Sequence, residues 1–176
     1  MKQVILKYGV FAGVILAALM FLTIPFVDTI GDWGLVLGYT TMVLGFMMIF
    51  FGIRAYRDGE GGGKVSFGRA FMIGLAITVI GAFCYVGAWE VMSRKYMPDF
   101  AEKYAARIMA KERAEGKPEA ELAAKQKEMD EFAISYKNPW FRVPMTLLEP
   151  LPVGLILSLV ASGILSRRKD AERARL

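Results

Sequence analysis

Four membrane-length stretches limit what this chain can fold into. Three of them contain no Asp, Glu, Lys or Arg, and they run from Tyr8 to Val27, from Trp33 to Ile53 and from Ala70 to Trp89. Each is 20 or 21 residues long, and about 20 apolar residues in a helix cross a hydrocarbon core of about 30 Å. The fourth, from Trp140 to Leu165, is also apolar apart from two charged residues. The sequence therefore predicts an all-α integral membrane protein, a bundle of four transmembrane helices.

Composition excludes several kinds of functional site. The 176 residues include no histidine, so neither a Ser/His/Asp triad nor a histidine-based metal site can form. The single cysteine, Cys84, lies inside the third stretch, so no disulfide can form within the chain. A net charge of +5 is typical of proteins that bind nucleic acid, but here the basic residues lie next to the apolar stretches. We therefore expect a protein that is not an enzyme, with no cofactor, no metal and no nucleic-acid partner.

The distribution of basic residues predicts how the chain is oriented in the membrane. The connection from Arg54 to Arg69 contains four basic residues against two acidic ones, and the last eleven residues contain five basic ones. Short loops with an excess of Lys and Arg stay in the cytoplasm, and an even number of spans puts the N-terminus on that side too. Three tryptophans then share the outer interface, which this residue type prefers: Trp33, Trp89 and Trp140. The prediction is a multi-pass protein with both termini cytoplasmic.

The connections between the predicted spans differ greatly in length. The first, Asp28 to Asp32, is so short that spans one and two must be antiparallel neighbours. The third, Ser93 to Asn138, has ten basic and nine acidic residues, and long loops of this kind are translocated regardless of charge. The chain therefore divides into residues 1–92 with three spans, an extracytoplasmic helical hairpin at 93–138, and residues 139–176 with the fourth span and a basic cytoplasmic tail.

The long third connection carries start and stop signals for two helices. Pro98 and Asp99 open the first helix and Gly116 ends it, while Pro118 opens the second. One face of the second helix is apolar and consists of Leu122, Met129, Phe132, Ala133 and Tyr136. Such narrow stripes must be covered, so we expect them to lie on each other, on the outer ends of the spans, or on a protein partner that docks on residues 98–136.

The fourth span contains the residues most unusual for a membrane interior. Glu149 lies several residues inside it and is followed by Pro150 and Pro152. An ionised carboxylate near the bilayer centre costs about 2.5–3.5 kcal/mol, so Glu149 must be protonated, paired or hydrated. Arg142 precedes it by seven residues, and Glu90 ends the third span at the level of Arg142. These five residues are the candidate polar site. We expect either a structural role at the helix break, which includes pairing of Glu149 with Arg142, or a role in handling protons or cations.

Small residues recur at helical spacing in every predicted span. The sets are Gly9 and Gly13; Gly34 and Gly38; Gly38, Gly45 and Gly52; Gly74, Gly81 and Ala88; and Gly154, Ser158 and Ser162. Small faces let helices approach closely in lipid, where hydrophobic attraction between helices is weak. We expect these faces to pack the spans against one another, with homo-oligomerisation as the alternative.

The glycine-rich sequence GEGGGK, Gly59 to Lys64, invites comparison with a phosphate-binding P-loop. The spacing does not fit, because a P-loop needs glycine at the place of Asp58 and Ser or Thr at the place of Val65. The sequence predicts a flexible cytoplasmic turn instead.

Several segments together resemble a known family. They are FFGIRAYRD, GGGKVSFGRAFMIGLAITVIGAFCYVGAWEV and TLLEPLPVGLILSLVASGIL, and they are similar to the bacterial membrane family of domain-of-unknown-function 4199. The resemblance covers nearly the whole chain, and the loop helices match least. It implies a four-span inner-membrane protein with a long loop before the last span, and it implies no activity.

Two functions remain after these exclusions. The first is a non-enzymatic structural or interaction subunit of the membrane. The alternative is a small transporter or proton-coupled permease that uses Glu149. A polar path across the membrane would favour the transporter, and the sequence provides charges near one leaflet only.

Overall fold

A computed structural model of the chain describes residues 1–23, 26 and 33–166. Within these residues the protein is all-helical. The α-helices, numbered here in chain order, are α1 (Lys2–Thr23), α2 (Trp33–Asp58), α3 (Phe67–Lys95), α4 (Phe100–Ala114), α5 (Glu119–Tyr136), α6 (Pro139–Leu148) and α7 (Pro150–Ser166). The predicted connection Asp28 to Asp32 and the basic tail after Ser166 lie outside the described residues.

Four helical segments are long and apolar enough to cross a membrane, which confirms the predicted spans by length and composition. They are Lys2–Thr23, Trp33–Asp58, Phe67–Lys95 and Pro139–Ser166. A helix satisfies its own backbone hydrogen bonds, and this is the condition that lipid imposes on a spanning segment. The last segment consists of two helices, α6 and α7, which meet at Glu149.

The chain forms two compact units. The first unit comprises Met1–Ala88 and the chain from Leu147 onward, and the second comprises Trp89–Thr146. The first contains α1, α2, most of α3 and α7, and the second contains the end of α3 with α4, α5 and most of α6. The domain boundaries given by hydropathy, at 92/93 and 138/139, stay predictions.

In the first unit, contacts at glycines show which way the helices run. A methyl group added at Gly45 would lie 2.6 Å from Cδ2 of Leu16, and one added at Gly52 would lie 3.1 Å from Cβ of Tyr8. Because the higher-numbered glycine of α2 meets the lower-numbered residue of α1, these two helices are antiparallel. A methyl group at Gly52 would also lie 2.5 Å from Cδ1 of Ile77, so α2 packs against α3 at this point.

Helix α3 contacts all three other helices of the first unit. A methyl group at Gly81 would lie 3.0 Å from Cε1 of Phe46 on α2 and 3.4 Å from Cβ of Ala12 on α1. One at Gly74 would lie 2.8 Å from Oγ of Ser158 on α7. Gly154 of α7 packs in the same way against Thr78, so α3 and α7 are antiparallel. Helices that follow one another in this unit therefore run in opposite directions.

Only some of the predicted small-residue faces contact another helix within the described part of the chain. Seven glycines lie so close to a neighbouring helix that an added methyl group would come within 3.0 Å of it: Gly9, Gly13, Gly45, Gly52, Gly74, Gly81 and Gly154. At Gly34 and Gly38 an added methyl group would have no described residue within 4 Å. The first set confirms packing between spans, whereas the Gly34/Gly38 face makes no such contact within the described chain.

The interior of the first unit is apolar, with a few hydroxyl groups. Phe46, Ile49, Ile53, Ile73 and Ile77 are fully buried. Two of the buried hydroxyls donate to carbonyls of their own helices, Thr78 Oγ1 to Gly74 at 3.0 Å and Ser158 Oγ to Gly154 at 2.7 Å. The two hydroxyls also lie 3.3 Å apart. These hydrogen bonds reduce the cost of placing polar groups in an apolar interior.

In the second unit, helices α4 and α5 pack against each other. Their buried contacts are Ala105 and Met109 of α4 with Met129 of α5, flanked by Ile108, Leu122 and Phe132. The two predicted helices are confirmed, and Gly116 between them has a φ of +72°, the left-handed conformation that a helix-ending glycine supplies. The apolar stripe of α5 was expected to lie on the other loop helix, on the outer ends of the spans or on a protein partner. The structure shows it packed on the other loop helix, α4.

We predict that Gly154→Ala destabilises the first unit by about 1–3 kcal/mol, because the new methyl group collides with Thr78 where α7 packs closely on α3. Gly163→Ala on the same helix is the matched control, because no residue of the described part of the chain lies within 4 Å of its added methyl group. That control should not lose stability, since alanine is the better helix former. Thermal unfolding in detergent, followed by circular dichroism, measures both variants. Equal stability of the two would contradict the packing described here.

Candidate functional site

The last span is broken at Glu149. Helix α6 ends at Leu148 and α7 begins at Pro150, which leaves Glu149 as a single residue between them. Proline lacks an N–H and favours the first helical position, so Pro150 ends one helix and starts the next. The carbonyl of Thr146, which a regular helix would pair with residue 150, loses that partner. Pro150 itself is fully buried, and Pro152 is exposed.

Glu149 lies on the surface of the chain and binds a tyrosine. The Tyr85 hydroxyl of α3 donates a hydrogen bond to Oε2 of Glu149, at 3.2 Å. The Glu149 side chain is exposed, and so are its apolar neighbours Leu148 and Ile156. A carboxyl group at this position faces whatever surrounds the chain, not the packed interior. Chemically it can accept hydrogen bonds or exchange a proton.

Arg142 pairs with Glu90 and not with Glu149. Nε of Arg142 donates to Oε1 of Glu90 at 2.6 Å, and Nη2 donates to Oε2 at 2.7 Å. Nη1 donates to the carbonyl of Tyr136 at 3.0 Å, so one guanidinium joins α3, α6 and the end of α5. Arg142 is only 6% exposed, and Arg94 reaches the same carboxylate at 3.0 Å. Two parallel hydrogen bonds of this kind make a geometrically specific ion pair.

Aromatic side chains surround this ion pair. The Trp89 indole N–H donates to the Tyr136 hydroxyl at 2.7 Å, and the Trp89 ring meets Phe100 edge-to-face with centroids 4.8 Å apart. The ring centroid of Phe132 lies 5.3 Å from that of Tyr136 and 6.4 Å from that of Phe141. Edge-to-face pairs of this type are worth about 0.5–1.5 kcal/mol each beyond their burial. The α4–α5 pair is therefore held to the ends of α3 and α6 within the second unit.

A surface ion pair adds a weak dependence on pH to the second unit. Lys137 Nζ lies 2.9 Å from Oε1 of Glu102, and this hydrogen bond lowers the pKa of Glu102 below its usual value. Because the pKa of Glu102 is lowered in the folded state, the ion pair contributes its full stabilisation at pH values above the usual pKa of a glutamate. It is lost as the pH falls through the folded pKa. Both side chains are largely exposed, so the effect is small.

The predicted site residues thus divide between the two units. Glu90 and Arg142 meet, as their common level suggested, and they form a buried structural link. Glu149, Pro150 and Pro152 belong to the first unit, where Glu149 binds Tyr85. Sequence reasoning missed Tyr85 and the roles of Trp89 and Tyr136 as hydrogen-bond partners. The apolar stripe that includes Tyr136 was the available signal for one of them.

We predict that Arg142→Gln destabilises the second unit by about 3 kcal/mol, because it leaves the Glu90 carboxylate without its main partner and the Tyr136 carbonyl without a donor. Amide hydrogen exchange near the end of α5 should become faster. Arg94→Gln is the matched control, because it removes an exposed cation from the same carboxylate and should cost less than about 1 kcal/mol. Similar exchange in the two variants would show that the Arg142 link does not hold α5.

Comparisons with known proteins identify the family. Searches of curated proteins and of solved structures found no match. The profile of the family described as "Protein of unknown function (DUF4199)" matches residues 7–167, which include most of the first apolar segment and the whole of the other three. That range covers most of the chain, in agreement with the resemblance read from the sequence. The chain belongs to the DUF4199 family of proteins of unknown function.

Proposed function

We propose that this protein is a non-enzymatic structural or interaction subunit of a bacterial inner membrane. In this proposal α1, α2, α3 and the α6–α7 segment form a four-helix bundle across the bilayer, and α4 with α5 is an extracytoplasmic hairpin. The observation that carries it is the contrast between a closely packed interior and a carboxyl group on the outer surface of the last span.

The packed interior argues against transport through a single chain. At seven glycine positions between the helices an added methyl group would lie within 3.0 Å of a neighbouring side chain. The largest buried side chains in this interior are Phe46, Leu16, Ile49, Ile53, Ile73 and Ile77. The hydroxyls of Thr78 and Ser158 donate to helix carbonyls and lie 3.3 Å apart. A polar pathway needs ionisable or hydrated groups in sequence across the bilayer. The interior of the first unit instead offers mainly apolar side chains, with the hydroxyls of Thr78, Ser158 and Ser162 and, in the last turn of α2, the buried cation Arg57.

The surface of the last span supports an interaction role. Glu149 and Tyr85 form a polar pair among exposed apolar residues, where a bare carboxylate facing lipid would be costly. A transmembrane helix from another chain, carrying a hydrogen-bond donor, would cover it. The Gly34/Gly38 face, which no described residue covers, offers a second place where a helix can approach closely, either from a second copy or from another protein.

The orientation with both termini in the cytoplasm is supported by groups that meet at one end of the first unit. The N-terminal ammonium of Met1 pairs with Glu60, so the chain start lies beside the basic connection between α2 and α3. Ser166, at the end of α7, lines a recess together with Lys64 and Arg69 of that connection. Basic segments at a common end favour the cytoplasmic side.

The alternative function is proton or cation transfer by Glu149. It is favoured by one observation, namely that the carboxyl group lies at a helix break and bonds to a phenol, an arrangement that can exchange protons with the surroundings of the chain. Such transfer would have to run along an interface with a second chain.

Glu149→Gln separates the two functions, because glutamine keeps the size and hydrogen-bonding capacity but cannot titrate. We predict that wild type and Glu149→Gln insert to equal levels and that neither gives proton flux in proteoliposomes under a pH gradient. Glu149→Leu, which removes the hydrogen bond to Tyr85, should reduce the size of the complex extracted in mild detergent. Met145→Leu, an exposed apolar change on α6, is the control and should leave it unaltered.

Proton flux in wild type that disappears in an equally abundant Glu149→Gln variant would reject the structural role and establish the transporter. An unchanged complex in Glu149→Leu would reject an interaction through this polar pair.

A further inference from the structure

A recess lies at the end of the first unit, between the α2–α3 connection, the start of α3 and the end of α7. Its volume is about 490 Å³. The lining residues are Gly61, Lys64, Val65, Ser66, Phe67, Arg69 and Ser166. Two of them carry positive charge, two carry hydroxyl groups, and no acidic residue is among them. The recess is therefore a concave, cationic surface at the point where two spans end.

The acidic residues of the same connection are already paired with other cations. Glu60 pairs with the N-terminal ammonium, and Asp58 is bound by Arg57 Nε at 2.7 Å and approached by Arg54 Nε at 3.5 Å. Among residues 1–23, 26 and 33–166, neither Lys64 nor Arg69 has a carboxylate within ion-pair distance. The positive charge of the recess is thus not neutralised by the described part of the chain.

The start of α3 adds backbone donors to the lining. The carbonyl of Ser66 accepts the N–H of Ala70 at 2.9 Å, which closes the first helical turn. The first N–H groups of any helix have no partner within the helix, and no described residue accepts those of Phe67, Gly68 and Arg69. Unpaired N–H groups and the positive end of the helix dipole favour an anion, and they reinforce the two cationic side chains.

The glycine loop is held in one specific shape beside the recess. The N–H of Gly63 donates to the carbonyl of Arg57 at 2.8 Å, and a methyl group at Gly61 would lie 2.5 Å from the carbonyl oxygen of Lys64. Gly62 and Gly63 have φ values of +58° and +79°, which glycine adopts without strain. Arg57 adjoins this loop with a side chain more than nine-tenths buried, and its Nη1 has no acceptor among the described residues.

We propose that this recess binds the phosphate group of an anionic phospholipid. Phosphate fits a site of two cations, hydroxyls and free backbone N–H groups, and basic pockets between transmembrane helices bind lipid headgroups. The lipid source is favoured over a soluble phosphate by the position of the recess at the ends of two spans. The exposed ring of Phe67, stacked on Phe71 with centroids 6.2 Å apart, adds an apolar surface at the same level. This inference does not depend on the proposed interaction role.

The proposal is tested by titrating phosphatidylglycerol into the detergent-solubilised full chain and counting bound lipids by native mass spectrometry. One tightly bound phosphatidylglycerol per chain is expected, with no comparable binding of phosphatidylcholine. Lys64→Gln with Arg69→Gln should weaken this binding by about 30-fold, the effect of two lost cations near a headgroup. Lys64→Arg with Arg69→Lys keeps both charges and should retain the bound lipid.

Lys2→Gln with Lys7→Gln is the matched control, since it removes two exposed cations from the N-terminal helix that do not line the recess. It should leave binding within a few-fold of wild type. Equal loss in both double variants would show diffuse attraction to a basic surface and overturn the site. Displacement of the lipid by an equal concentration of inorganic phosphate would overturn the lipid assignment. Circular dichroism confirms that each variant is folded.

Discussion

The close approach of α3 to its neighbours at glycine residues is the interaction on which the rest of the structure depends. In lipid, each span must satisfy its own backbone hydrogen bonds, so helices form first and can then associate mainly through close packing. Gly81 brings α3 against α1 and α2, and Gly74 brings it against α7. These contacts set the direction of each helix, and the directions in turn decide which connections share an end of the unit.

Two acidic residues near the membrane are accommodated in opposite ways. Glu90 forms two hydrogen bonds with a buried arginine, so its charge is fully compensated inside the second unit. Glu149 bonds to Tyr85 and remains on the surface of the first unit. A compensated pair has a structural role, whereas an exposed carboxyl group in a span must be protonated, hydrated or paired. This difference is why Glu149, and not the ion pair, decides between the two functions.

Much of the fold is predictable from sequence because the membrane imposes simple rules. The absence of charge from Tyr8 to Val27 or from Ala70 to Trp89 is enough to locate a span, and Pro118 and Gly116 locate the ends of the loop helices. Small-residue spacing indicates a packing face but not whether it is used. Gly45 meets Leu16, whereas at Gly38, one heptad earlier, no described residue lies within 4 Å of an added methyl group.

The candidate site was less predictable because it depends on contacts between residues far apart in sequence. Glu90 and Arg142 are 52 positions apart, and only their common level in the membrane suggested that they meet. The Tyr85 hydroxyl reaches Glu149, which is 64 positions away in the sequence. Nothing in the local sequence of either residue specifies that α3 is rotated so as to place Tyr85 next to Glu149. The cationic recess likewise combines Lys64 with Ser166, which hydropathy alone cannot bring together.

The central claim is that the chain crosses the membrane four times, with the α2–α3 and α4–α5 connections on opposite sides. The most direct measurement is thiol labelling in intact cells of a bacterial host, in a Cys84→Ala background that removes the only native cysteine. Glu60→Cys and Glu115→Cys are matched, because both native side chains are exposed. The account predicts that a membrane-impermeant reagent labels position 115 in intact cells and position 60 only after permeabilisation. Labelling of both positions in intact cells, or of position 60 alone, would contradict it.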